Sequence, residues 1–111
     1  MDYLNCLFKI FDLDMFEQYC VTRVLEKELS GNETDAWTVG DLVREYGGHL
    51  DIEEIYGYFR LEGKLGRFFF IYDSSSAFWG QHIRLRSRMM DFLTGNAAHE
   101  NPTYRQFATM C

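Results

Sequence analysis

At 111 residues the chain is of single-domain size, long enough to build one core without metal or disulfide staples. Its 47% apolar content excludes a disordered body, and its formal net charge of −6 argues against a broad electrostatic footprint for nucleic acid. The charge is uneven: residues 1–56 hold thirteen Asp/Glu against four Lys/Arg, and residues 57–111 hold four against seven. Unpaired carboxylates are almost never buried, so one strongly negative face is expected.

Residues 1–11 are apolar but carry Asp2 and Lys9, with no basic leader and no small-residue cleavage site, so they do not read as a signal peptide. Leu4, Leu7, Phe8 and Phe11 have helical spacing and predict a short helix over 3–11. No run reaches the roughly eighteen apolar residues that a membrane span needs. Asp14 and Glu17 form a capping box that starts a helix at Met15, with Phe16, Cys20 and Val24 on one row and Val21, Leu25 and Leu29 on the next. That helix ends at Gly31.

Trp37 to Val39 predict a short extended segment, after which Thr38 and Asp41 box a helix over Val39 to Tyr46, stopped by Gly47-Gly48. Asp51 and Glu54 form a third box. Ile52, Ile55, Tyr56 and Phe59 then share one helical face, and the helix is expected to reach about Glu62. Gly57 inside it calls for a close neighbour or a bend, since glycine costs about 1 kcal/mol against alanine in a helix.

Arg67 to Tyr72, containing FFFI, predict a strand buried on both faces. Residues 77–94 are read as a helix, capped by Ser76 and stopped by Gly95, although His82 to Arg86 also alternate like a strand. The expected fold is a mainly helical α+β single domain, residues 1–95, with four or five helices, one or two short strands and an irregular tail over 96–111. Cys6, Cys20 and Cys111 are expected to be reduced thiols of a cytoplasmic protein, with a Cys6–Cys20 disulfide as the alternative.

The candidate chemistry is sparse. His49, Asp51, Glu53 and Glu54 lack metal-ligand spacing, and Asp51 and Glu54 are explained as a cap. Ser74 to Ser76 near His82 read as a turn, and Cys20 lies on an apolar helical row. No catalytic, cofactor-binding or metal-binding residue is therefore expected, and the chain is not read as an enzyme. Arg84, Arg86 and Arg88, with Arg60, Lys64 and Arg67 nearby, are candidates for nucleic-acid binding, unless they pair with the acidic half.

The acidic side supplies the preferred site: Glu26, Glu28, Asp51, Glu53 and Glu54, with Tyr58 and Trp79 as interface rings and Tyr56 and Phe78 as further surface aromatics. The expected partner is a basic, nucleic-acid-binding protein, with direct nucleic-acid binding the second choice and no membrane contact. The surplus of rings is also compatible with a homodimer.

The order strand, helix TVGDLVREYGG, glycine turn, helix, strand over residues 37–72 resembles a winged helix-turn-helix domain. That resemblance implies a groove-reading second helix, but here this helix opens Asp51-Ile52-Glu53-Glu54, which would repel phosphate. In overall character the chain, small, acidic and rich in aromatics, resembles the inhibitors that phages deploy against host nucleic-acid machinery, including anti-CRISPR proteins. This implies a protein-binding module that competes with phosphates for a basic cleft.

Overall fold

The computed structural model describes residues 3–31, 36–73, 77–94 and 110. The expected tail over 96–111 lies outside the described residues, apart from Met110. The chain forms α1 (Tyr3–Ile10), α2 (Met15–Leu29), β1 (Trp37–Thr38), α3 (Val39–Tyr46), α4 (Ile52–Tyr58), a π-helical turn (Leu65–Phe69), β2 (Phe70–Tyr72), a 3-10 turn (Phe78–Gly80), β3 (His82–Leu85) and α5 (Ser87–Leu93). It is a mainly helical α+β single domain, with three strands among the described residues rather than the expected one or two.

Three helix starts follow from their caps. Asp14 accepts from the Glu17 backbone N–H at 2.9 Å while Glu17 accepts from that of Asp14 at 3.0 Å, so two donors that the first helical turn leaves unpaired are satisfied together. Thr38 accepts from Asp41 at 3.1 Å and Asp51 from Glu54 at 2.8 Å. Gly47 ends α3 at φ +70°, a left-handed conformation that L side chains rarely adopt.

The strands form one antiparallel sheet in the order β1-β3-β2, with Ile83 opposite both Trp37 and Tyr72, and Arg84 opposite Ile71. Ile83 and Leu85 face inward onto α2, whose Phe16, Cys20, Val21 and Val24 are buried, while His82, Arg84 and Ile71 face outward. The core continues through Leu7 of α1 to Phe92 of α5, and the Tyr3 and Phe92 rings meet at 4.8 Å.

Residues 77–94 thus contain a 3-10 turn, a strand and a helix, not the single helix expected. The apparent helical spacing of Trp79, Ile83, Met90 and Leu93 runs across all three elements. The four-residue alternation at His82–Leu85 is a strand because β1 and β2 both pair with it, a tertiary effect that local pattern does not carry. The strand expected over 67–72 is likewise shortened: Phe69 belongs to the π turn, and Ile71 is exposed, so β2 is buried on one face only.

Helix α4 ends at Tyr58 instead of about Glu62, and nothing lies within 4 Å of where a Cβ on Gly57 would sit. No packing demand therefore explains this glycine. Gly57→Ala is expected to raise folding stability by about 0.5–1 kcal/mol, measured by urea denaturation, because alanine restricts the unfolded chain and favours the helix.

Candidate functional site

The surface with the clearest character is built on α4 and the 3-10 turn. Ile55 and Phe59 point into the core, leaving Ile52 and Tyr56, one helical turn apart, on the neighbouring row with 52% and 45% of their surface exposed. The sequence pattern puts all four on one helical face, with Tyr56 also named as a surface ring; the core takes only Ile55 and Phe59 from that face, so Ile52 is left exposed as well. The Tyr56 ring lies 4.4 Å from that of Phe78, which lies 5.3 Å from Trp79, itself 41% exposed. Gly40 allows α3 to approach the turn: a Cβ there would sit 3.2 Å from the Trp79 carbonyl oxygen.

Carboxylates border this row of rings. Asp51 caps α4, and Glu53 and Glu54 are exposed in its first turn, with no ion pair among the described residues. Glu53 borders the Ile52–Tyr56 row by helical geometry, and Glu54 lies further round the exposed surface. Helix α4 carries no basic residue.

The other two acidic candidates lie elsewhere. Glu26 and Glu28 are in the last turn of α2, twelve and fourteen residues beyond Asp14, or about 18–21 Å along the helix axis. They also have partners: Arg23 reaches Glu26 at 2.8 Å and Glu45 at 2.6 Å, and Arg84 lies 3.7 Å from Glu28. The Arg23 and Lys27 cations lie 5.2 and 4.9 Å from the centre of the Trp37 ring, whose Nε1–H donates to the Arg23 carbonyl. This end of α2 therefore joins α2, β1 and α3, and its acid is largely engaged inside the domain.

Tyr58 is also committed internally. Its ring lies 4.8 Å from Phe16 and its hydroxyl donates to the Asp14 carboxylate, locking the end of α4 to the start of α2. Burial raises the phenol above its ordinary value, and the bond to Asp14 adds to that shift. Placed as a free interface ring from sequence, Tyr58 instead closes the α2–α4 contact, while Trp79 keeps an open face.

Beside this contact Glu17 is only 9% exposed. Desolvation raises its carboxyl above the usual 4.5, with Asp14 and Asp12 adding repulsion and the Asp14 backbone N–H and Lys64 opposing the shift. The folded state then holds this proton more tightly than the unfolded chain. Glu17 thus favours folding most below pH about 4.5, and that contribution falls as pH rises through the raised value. Glu17→Gln keeps an acceptor for Asp14 and removes the charge. We expect its stability relative to the parent to increase from pH 4.5 to pH 7 in paired thermal melts, and a constant difference would remove Glu17 as the source.

The basic candidates are not gathered into one patch. Arg84 faces outward from β3 toward Glu28. Arg86 is half-buried and donates to the Gly66 carbonyl at 2.7 Å, and Arg88 is exposed in the first turn of α5. Cys20 is fully buried, and burial raises its thiol well above the ordinary value, holding it in the neutral, non-nucleophilic form. His82 lies 3.7 Å from Asp73 in the β2–β3 hairpin, and His49 is exposed. Among the described residues no three His, Cys, Asp or Glu side chains come together as metal ligands.

Cys6 is disulfide-bonded, which overturns the expectation of three reduced thiols. Cys20 is free, so Cys6–Cys20 is not the bond. Among the described residues no helix is long and apolar enough to cross a membrane. No protein-family model, curated protein or solved structure shows a significant match to this chain.

Proposed function

We propose that the chain is a non-catalytic protein-binding module, a small acidic inhibitor of the anti-CRISPR kind that docks on a basic surface of nucleic-acid-handling machinery. The observation that carries this reading is the unpaired acid of α4: Glu53, beside the exposed rings, and Glu54, further round the helix, are both exposed and have no internal cation among the described residues. Such carboxylates are drawn to Lys/Arg-rich clefts that ordinarily hold phosphates. The neutral, buried Cys20 supports a non-catalytic role. A cytoplasmic setting belongs to the same proposal, although a disulfide such as that of Cys6 is uncommon there.

A second reading, a winged-helix DNA-binding regulator, draws support from the topology. The order β1, α3, Gly47-Gly48, α4, β2 is completed by β3 lying between the two other strands, as a wing hairpin would. Against it stands the acid at the start of α4, where phosphate would approach. The scaffold is then winged-helix-like with its second helix turned to protein recognition.

Affinity capture from a lysate of a bacterium carrying CRISPR machinery, with and without nuclease, tests both readings. The expected result is one basic nucleic-acid-binding protein retained in both samples and lost to the Glu53→Lys/Glu54→Lys variant. Recovery of DNA alone, abolished by nuclease, would favour the regulator.

A further inference from the structure

We infer that the row Ile52, Tyr56, Phe78 and Trp79 is the contact centre of the docking surface, and that its occupant is a basic segment of another protein carrying large apolar side chains among its Lys and Arg. This rests on the proposed function and names the part of the partner that is bound. Three observations select the occupant. The rings are contiguous at 4.4 and 5.3 Å, with Tyr56 and Trp79 open to solvent on either side of a half-buried Phe78, which suits a buried interface centre better than a purely ionic one. The charged groups of α4 beside them are all carboxylates: Asp51 at the N-terminal end of the row, Glu53 along its side and Glu54 beyond.

The third observation weighs against a second copy of the chain. A two-fold dimer through this face would bring two copies of one acidic border, Asp51 and Glu53, into the same interface with no basic residue of α4 to pair them, and like charges across an interface are repulsive. A head-to-tail pairing would instead draw on the chain's scattered basic residues, of which Arg84 and Arg86 are engaged by Glu28 and the Gly66 carbonyl while Arg88 is exposed.

Two synthetic probes of equal charge separate rings from acid: a helical peptide with Lys and Leu on opposite faces, and an oligolysine with the same number of lysines. They are titrated calorimetrically into the full chain and into Tyr56→Ala, Trp79→Ala and Glu53→Lys, each first checked for a cooperative melt. The Lys/Leu peptide is expected to bind more tightly than oligolysine, and to lose tenfold or more in affinity to Tyr56→Ala or Trp79→Ala. Oligolysine should be weakened by Glu53→Lys alone. If one ring variant fails to melt cooperatively, the other carries the test.

Equal binding of the two probes, or ring variants that bind the Lys/Leu peptide as the parent does, overturns this inference and leaves the acidic-module reading standing. No binding of either cationic probe overturns both. Sedimentation showing a parent dimer that Tyr56→Ala dissociates would make the occupant a second copy and also overturn it.

Discussion

Gly66→Ala is expected to destabilise the domain by about 3 kcal/mol, the upper end of the usual cost of overpacking. A Cβ on Gly66 would lie 2.6 Å from the Arg60 carbonyl oxygen, 2.8 Å from that of Leu61 and 2.9 Å from the Leu61 Cα. All three are backbone atoms, so no side chain can swing aside, and the segment around Arg60 and Leu61 must shift against the buried Leu65 and Phe69. The Gly66 carbonyl also receives the Arg86 guanidinium, so the shift disturbs a charge-assisted bond that ties the π turn to the start of α5. A cooperative melt lowered by about 10 °C or more is the expected reading for a domain of this size. A Tm within about 2 °C of the parent would mean that the turn can open at little cost.

The larger loss is expected from Phe69→Ala, about 3–5 kcal/mol. Phe69 is 0% exposed and meets the Phe11 ring edge-on at 5.4 Å, while Phe68 meets the same ring at 4.7 Å. Removing it empties a site bounded by the end of α1 and the π turn, where the Gly66 packing leaves little freedom to collapse. Against a typical stability of about 5–15 kcal/mol, either change consumes a large share of the total. Guanidinium denaturation should show the midpoint falling with the slope unchanged, and a loss below about 1 kcal/mol would place Phe69 where neighbours can close over the gap.

The helix starts were legible in the sequence because their cause is local: Asp14, Thr38 and Asp51 each sit three residues before the N–H they accept from. The same locality made the acid at the start of α4 readable, and Tyr56 and Trp79 could be named as surface rings before their neighbours were known. What depends on partners distant in sequence was not legible. His82–Leu85 becomes a strand only through β1 and β2, and Ile52 is left outside because α4 meets the core with Ile55 and Phe59. Tyr58 is drawn inward by Asp14, which lies 44 residues away. The −9 charge of the first half was countable, but its division between the paired Glu26 and Glu28 and Glu53 and Glu54, which have no ion pair among the described residues, depends on where Arg23 and Arg84 come to lie.

The strand order has a consequence for how the chain is assembled. Among the described residues both edge strands pair in the sheet only with β3, the last of the three in sequence, and Trp37 waits for Ile83 before its strand has a pairing partner. On a ribosome, where the N-terminal part emerges first, the four preceding α-helices can all be made while the sheet does not yet exist. Two hydrophobic strands, one carrying Trp37 and the other Phe70, then lack a pairing partner until His82–Leu85 inserts between them. The β2–β3 pairing is local, but joining β1 to β3 is a late closure over a long loop, the kind of non-local step that sets the pace of folding in small domains.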